Sequence, residues 1–188
     1  MQVTTIGLDL AKNVFQVHGI DEYGEVSFNR VLRRGQVLAF FERIEPCLVG
    51  IEACGTSHHW ARELIKLGHN VKLIPPAYVK PYVKRGKSDA VDAAAICEAV
   101  TRPTMRFVEV KTPEQQAILA VHRTRDLIVK QRTQTINMLR AQLAEFGIIL
   151  PQGVYHALRF AKECVNEGAS NLPNDAGEIV IDLCDQLL

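Results

Sequence analysis

The sequence has no apolar run near the length that a membrane-spanning helix needs. Such a helix takes about 20 consecutive apolar residues, and polar side chains interrupt every apolar segment of these 188 residues sooner. The N-terminus, Met-Gln-Val-Thr-Thr, also lacks the basic region and the apolar stretch of a secretory signal. We therefore expect no membrane partner.

Cysteine is scarce, and its spacing is irregular. The chain has 5 cysteines, an odd number, and no two of them form a Cys-x-x-Cys pair. This pattern argues against a disulfide framework and against a zinc knuckle. A reduced, cytoplasmic protein is the simplest interpretation.

Net charge is almost absent, at +1, although 23% of the residues are charged and 47% are hydrophobic. This composition excludes a mostly disordered chain. The charge is nevertheless uneven, because residues 61–150 carry 15 basic and 8 acidic side chains. The flanking segments, 1–60 and 151–188, are both net acidic. A basic middle segment indicates a polyanionic partner, and a solvated helical surface is the alternative.

The hydrophobic pattern predicts an α/β fold. Alternating or short apolar segments predict strands at 4–10, 14–20, 26–32, 48–52 and 71–74. Helical periodicity appears between the third and fourth strands, between the fourth and fifth, and after the fifth. The second and third strands are expected to form an antiparallel hairpin at the edge of a layered sheet.

The part of the chain after the fifth strand contains a basic stretch and a long helix. Tyr78–Lys87 is rich in lysine, and its proline and glycine residues predict a loop. Thr112, Pro113 and Gln115 form the capping-box pattern of a helix start. No helix breaker follows until Gly147, so the predicted helix has about 34 residues and is roughly 50 Å long. A helix of this length favours a coiled-coil arm over a core helix.

Four carboxylates stand in unusual places. Asp9 lies inside the first apolar strand and Glu52 ends the fourth, where an unpartnered charge is costly. Asp89 and Asp92 share one face of an otherwise alanine-rich helix. A divalent cation bound between such acids would offset their mutual repulsion, and hard oxygen ligands suit Mg²⁺ or Mn²⁺. Two such ions can activate a water or hydroxyl and stabilise the leaving oxygen of a phosphodiester.

Each acid also has a simpler interpretation. Asp9 could pair with a basic side chain, and Lys12 is close in sequence. Glu52 could cap the helix that follows its strand. Asp89 could complement the dipole of its own helix, which is common for an acid in a first turn.

Three motifs closely resemble those of a known family. They are Gly7-Leu8-Asp9-Leu10-Ala11-Lys12, Ile51-Glu52-Ala53-Cys54-Gly55 and Lys87-Ser88-Asp89-Ala90-Val91-Asp92-Ala93. In this order they are similar to the N-terminal motifs of the DEDD-type insertion-sequence transposases, the "one-ten" and "eleven-eleven" group of recombinases. The resemblance covers residues 1 to about 150.

The resemblance implies a RuvC-like, RNase H-fold catalytic domain at residues 1–111, with a mixed five-stranded sheet and flanking helices. A coiled-coil arm at 112–147 and a helical segment at 148–188 would follow. It implies DNA strand cleavage and transfer by a metal-binding tetrad of Asp9, Glu52, Asp89 and Asp92, with Mg²⁺ or Mn²⁺ as cofactor. DNA would be bound by the basic residues Lys12, Lys80, Lys84, Arg85, Lys87, Arg123, Arg125 and Arg132.

Two partners are also implied by the resemblance: a structured guide RNA, known in this group as a bridge RNA, and further copies of the chain. The copies would form a homodimer or tetramer through the helical arm. Family members carry a C-terminal domain whose serine is thought to attack DNA, and we expect this chain to lack it. None of its four serines is therefore assigned as the nucleophile.

Two other functions fit the same residues. A stand-alone resolvase of four-way DNA junctions would share the four carboxylates but would not need the long helix. A dimerising nucleic-acid-binding module with a degenerate acidic site would keep the basic segment and lack catalysis. An actin-like ATPase is disfavoured, because Ala11 and Lys12 follow Asp9 where small phosphate-binding residues are needed.

Overall fold

The computed structural model describes residues 2–84, 86 and 88–188. The strands are β1 (Thr5–Leu10), β2 (Val14–Ile20), β3 (Val26–Arg33), β4 (Leu48–Glu52) and β5 (Asn70–Ile74). The α-helices are α1 (Val37–Phe41), α2 (Ser57–Lys66), α3 (Pro76–Val79), α4 (Asp89–Val100), α5 (Pro113–Glu145), α6 (Val154–Glu167) and α7 (Asn174–Asp185). The chain divides into two compact units, one ending at Gln116 and the other spanning Ala117–Leu188.

The first unit is built on one five-stranded sheet with the order β3-β2-β1-β4-β5. β2 is antiparallel to both β1 and β3, whereas β4 is parallel to both β1 and β5. A tight turn at Asp21–Gly24 joins β2 to β3, and its aspartate accepts hydrogen bonds from two backbone amides. The predicted α/β architecture, a mixed five-stranded sheet with an antiparallel edge hairpin and flanking helices, is confirmed.

One face of the sheet forms the main hydrophobic core. Phe15 and Val17 of β2 and Leu64 of α2 are fully buried there. Trp60 of α2 is 4% exposed, and its ring packs edge-to-face on Phe15 with centroids 4.9 Å apart. These contacts join α2 to the sheet, because apolar side chains alternate along the strands and recur at helical spacing in α2.

The opposite face of the sheet is covered by α4. Its buried residues are mostly small, including Ala93, Ala95 and Ala99, so the helix lies close to the strands. Ser88 begins the helix as predicted, since its hydroxyl accepts a hydrogen bond from the amide of Val91.

The basic stretch is more helical than the sequence suggested. Residues 76–79 form α3 and Lys80–Tyr82 form a 3₁₀ turn, so the loop predicted to start at Tyr78 is wrong as far as Tyr82. The prolines start these turns, because Pro76 and Pro81 occupy first-turn positions where no backbone N–H is needed. Arg85 and Lys87, both predicted to bind nucleic acid, lie outside the described residues.

The long helix α5 has 33 residues, close to the predicted length. Its capping box is confirmed: the Gln115 amide donates to the Thr112 hydroxyl, and the Thr112 amide donates to the Gln115 side chain. In the second unit, the C-terminal part of α5 packs with α6 and α7 through the buried residues Ile136, Leu139 and Leu143. Its N-terminal part leaves Ile118, Val121, Leu127 and Ile128 exposed. None of the helices among the described residues combines the length and the apolarity needed to cross a membrane.

Candidate active site at the carboxyl edge of the sheet

Asp9 and Glu52 lie at the same edge of the sheet. Leu8 of β1 is paired in register with Ile51 of β4, and each acid is the next residue along its strand. Because the two strands are parallel, their carboxyl ends reach this edge side by side. Both acids are half-buried.

Asp89 and Asp92 approach this edge from α4. Both lie in the first turn of the helix, three residues apart, with Asp89 exposed and Asp92 half-buried. The next residue, Ala93, stands directly over Gly7 of β1. Asp92 is therefore carried on the stretch of helix that touches the strand holding Asp9.

The electrostatics of Asp9 show that the four acids share one environment. Burial first, and then the charges of Asp92, Asp89 and Glu52, raise the pKa of Asp9 from an ordinary value of 3.8 to about 6. A hydrogen bond with the Leu10 backbone opposes this rise. Burial and the charge of Asp92 also raise the pKa of Glu52. The structure thus brings together four acids that are far apart in the sequence.

The acids do not form a finished metal cage. Within residues 2–84, 86 and 88–188, which include all four carboxylates, no group of three or more metal-ligating side chains could hold an ion as placed. The four acids interact through their charges, and their role as metal ligands stays a prediction.

The ion-pair alternative for Asp9 has no support among the residues that the structure describes. A neighbouring ammonium would lower the pKa of a carboxyl group, yet the pKa of Asp9 is raised, and Lys12 is not among the groups that influence it. The Lys12 side chain is exposed. A helix-capping role for Glu52 has no support either, because the turn before α2 is closed by the Ser57 hydroxyl, which accepts from the Cys54 amide and donates to the Cys54 carbonyl.

The described basic residues that were predicted to bind nucleic acid all point to solvent. Lys12, Lys80 and Lys84 are exposed in the first unit. Arg123, Arg125 and Arg132 are exposed along α5. Arg125 lies 3.8 Å from Asp126, a loose contact that leaves its guanidinium available. Their exposure is compatible with phosphate contacts, which remain a prediction.

The aromatic residues of the basic stretch differ in accessibility. Tyr78 is 42% exposed. Tyr82 is half-buried, packs against the small core formed by β5, α3 and α4, and lies under the guanidinium of Arg102 at 5.7 Å. Of the two tyrosines, Tyr78 therefore has the ring that is more accessible for stacking with a nucleic-acid base.

Arg34 is a residue that sequence reasoning missed. Its guanidinium stands 5.1 Å from the Trp60 ring and donates a hydrogen bond to the Lys12 carbonyl. Its backbone amide donates to the Asn13 carbonyl. These contacts brace the turn that follows Asp9. Only the folded hairpin brings Arg34 to that turn, and no local pattern around it signals this role.

Comparison with known proteins decides the family. The sequence model of the IS110-type DEDD transposases matches residues 6–148. The chain belongs to this transposase family. Its acidic residues Asp9, Glu52, Asp89 and Asp92 all lie within the matched range.

The relatives of this transposase chain are longer than the chain itself. It is 49% identical over its whole length to a protein named "Probable family 20 transposase" of Pseudomonas aeruginosa, and covers 56% of it. It is 44% identical, over 85% of its length, to the transposase for insertion sequence element IS1328 of Yersinia enterocolitica, and covers 48% of that protein. The chain thus spans about half the length of these curated relatives.

Among solved structures, the chain is similar to T. thermophilus RuvC in complex with Holliday junction substrate. The TM-score is 0.42 and the sequence identity is 13%. The similarity covers 57% of this chain and 100% of that one.

Proposed function

We propose that this chain supplies the acidic catalytic site of an insertion-sequence transposase, which cleaves and transfers DNA strands. The site consists of Asp9, Glu52, Asp89 and Asp92. The observation that supports it is the raised pKa of Asp9, to which each of the other three acids contributes. An acid held in a repulsive, partly buried group is a common feature of functional sites.

The donor chemistry of the site fits Mg²⁺ or Mn²⁺. Four carboxylates supply only hard oxygen ligands, which these ions prefer over softer metals. When bound, such an ion would lower the pKa of a water or hydroxyl and stabilise the leaving oxygen of a phosphodiester. Because a cation offsets the repulsion among the acids, binding would also lower the pKa of Asp9.

The chain's other residues bind and orient the nucleic acid in this proposal. The exposed basic residues of the first unit and of α5 would neutralise backbone phosphates, which fixes position without reading sequence. A structured guide RNA would use the same chemistry. The serines stand in β3, at the starts of α2 and α4 and in a turn after α6, and we assign the DNA-attacking hydroxyl to none of them.

We also propose that three segments of the chain have different roles. Residues 1–111 form the catalytic domain, residues 112–147 a coiled-coil arm, and residues 148–188 a helical segment. The exposed apolar side chains on the N-terminal part of α5 support pairing of the arm with another copy in a dimer or tetramer.

Binding of Mn²⁺ tests the acidic site directly. We expect the 188-residue chain to bind Mn²⁺, measured by the loss of the free-ion signal in electron paramagnetic resonance. Asp9→Asn should weaken this binding at least about 10-fold, because it removes a ligand and a charge. Glu98→Gln is the matched control: Glu98 lies on α4 but pairs with Arg102.

Equal weakening by both substitutions, or no Mn²⁺ binding by the unmodified chain, would contradict the acidic site. A chain that bound DNA but no Mn²⁺ would instead be a nucleic-acid-binding module. Mg²⁺-dependent nicking of DNA that disappears in Asp9→Ala would extend the result from binding to catalysis.

A further inference from the structure

Two glycines face each other beneath α4. Gly7 of β1 and Gly50 of β4 are paired in register on neighbouring parallel strands. Both lie on the sheet face that the helix covers, and each stands directly below a different part of it. They show how closely the helix approaches the strands along its length.

At Gly7 the strand and the helix meet backbone to backbone. A Cβ atom built there would lie 2.1 Å from the Ala93 carbonyl oxygen and 2.5 Å from the Cys97 amide nitrogen. Neither atom belongs to a side chain that could rotate away. Any other residue at position 7 would have to push the helix off the strand, since packed interiors have no spare room for an added carbon.

Gly50 makes a softer contact further along α4. A Cβ atom there would lie 2.8 Å from the Cβ and 3.1 Å from the Cγ1 of Val100, and 3.2 Å from the Cγ2 of Ile96. The two methyl carbons can move as their side chains rotate, whereas the Val100 Cβ moves only with its own residue, and no backbone atom of α4 is among these nearest neighbours. Because α4 rises about 1.5 Å per residue, Val100 lies about 12 Å beyond Asp92.

The contact at Gly7 therefore sets the distance between β1 and the end of α4 that carries Asp89 and Asp92. Ala93, whose carbonyl touches Gly7, directly follows Asp92 in sequence, and Gly7 precedes Asp9 by two residues on the same strand. The thiol of Cys97 donates to the Thr5 carbonyl at 3.8 Å, so the helix runs antiparallel to β1 from this point. Asp92 on the helix and Asp9 on the strand therefore both lie close in sequence to this contact.

We propose that Gly7 is a positioning residue of the acidic site. Its missing side chain seats the first turns of α4 on β1, which holds Asp89 and Asp92 within reach of Asp9 and Glu52. This inference rests on the proposed function, since its consequence is the binding of a divalent cation by the four acids. Gly50 seats the other end of the helix and has no such effect.

The test compares matched substitutions at the two glycines. Gly7→Ala and Gly50→Ala add the same methyl group beneath the same helix, and both should lower stability. We expect only Gly7→Ala to weaken Mn²⁺ binding, by at least about 10-fold, the lower end of the loss seen when groups that orient metal ligands are changed. The readout is the Mn²⁺ titration of the 188-residue chain, with the folded fraction of each variant set by circular dichroism.

Two milder substitutions decide the matter if Gly7→Ala fails to fold. Cys97→Val thickens the helix above Gly7, and Val100→Ile thickens it above Gly50. Cys97→Val should weaken Mn²⁺ binding while Val100→Ile leaves it within about twofold. Equal effects at the two ends, or none at the Gly7 end, would overturn the inference and leave the acidic site standing. If the unmodified chain bound no Mn²⁺, the acidic site itself would fail, and this inference with it.

Discussion

At the scale of single residues, Asp9 carries the largest electrostatic cost at the proposed site. Its carboxyl is partly buried in β1, and three further acids act on it with the same sign of charge. A group with a raised folded-state pKa holds its proton more tightly in the folded chain than in the unfolded one. The ionised form of Asp9 therefore opposes folding unless a cation compensates for it.

The pH dependence of stability follows from this shift. Because the pKa of Asp9 is about 6 in the folded chain and 3.8 ordinarily, stability should be highest below pH 3.8 as far as this group is concerned. It should fall as the pH rises from about 4 to 6 and then level off. Asp9→Asn should flatten this part of the profile and raise the unfolding free energy at pH 7 by about 1 to 2 kcal/mol, a value reduced for solvent screening.

Urea unfolding of the first unit between pH 4 and pH 8, in the presence of a chelator, measures this effect. Glu98→Gln on α4 is again the control, and its profile should follow that of the unmodified chain. The result would contradict this prediction if stability rose between pH 4 and 6 in the unmodified chain but not in Asp9→Asn. A positively charged side chain would then be stabilising the ionised carboxylate of Asp9, contrary to what the described residues show.

At the scale of elements, α5 has a well-defined start. The Thr112 hydroxyl and the Gln115 side chain satisfy two backbone amides that a helix end would otherwise leave unpaired. The segment leading into the helix is also held, since Arg62 donates to the Lys111 carbonyl at 2.6 Å and the Lys111 amide donates to His58 at 3.2 Å. His58 thus contacts the chain ahead of α5, and its bonding partner comes from far along the sequence.

Thr112→Ala should loosen the first turn of α5. Loss of the cap costs about 1 kcal/mol, so amide hydrogen exchange at Gln115 and Gln116 should become about fivefold faster. Thr133→Ala provides the comparison, because the Thr133 hydroxyl bonds the Val129 carbonyl within the helix, an interaction of little benefit to helix stability. Unchanged exchange in Thr112→Ala would mean that the contacts of Lys111, and not the cap, hold the helix start.

At the scale of the whole molecule, charge is separated along the chain, although the total is close to zero. Residues 61–150 carry 15 basic and 8 acidic side chains. Under the proposed function, the acids would bind nucleic acid through a cation and the basic side chains would bind it through phosphates. Affinity for DNA should then depend strongly on salt.

The double substitution Arg123→Gln and Arg125→Gln tests the basic surface. If both side chains contact phosphates, the slope of log affinity against log salt should become shallower by about 2. The matched control is Arg159→Gln with Lys162→Gln on α6, which removes the same charge from the acidic C-terminal segment. Fluorescence anisotropy with labelled duplex DNA measures both slopes, and equal changes would assign the effect to net charge alone.

Much of the fold could be predicted from the sequence because its signals are local. The strands of the hairpin alternate apolar and polar residues, and the capping box of Thr112 and Gln115 predicts the start of α5. The error at residues 78–82 has a local cause as well: prolines that can break a helix can also begin one, and the sequence does not distinguish the two. Asp9 and Glu52 could be singled out because an acid inside or at the end of an apolar strand is unusual.

The sequence by itself determined the order of elements, the caps of α4 and α5 and the identity of the four unusual acids, since each depends on neighbours a few residues away. Only the tertiary structure decided that these acids repel one another, that Lys12 does not pair with Asp9, that Arg34 braces the turn after β1, and that Gly7 touches the backbone of α4. Those properties depend on distances between residues far apart in the chain. Strand pairing and helix packing set such distances, and no local pattern encodes them.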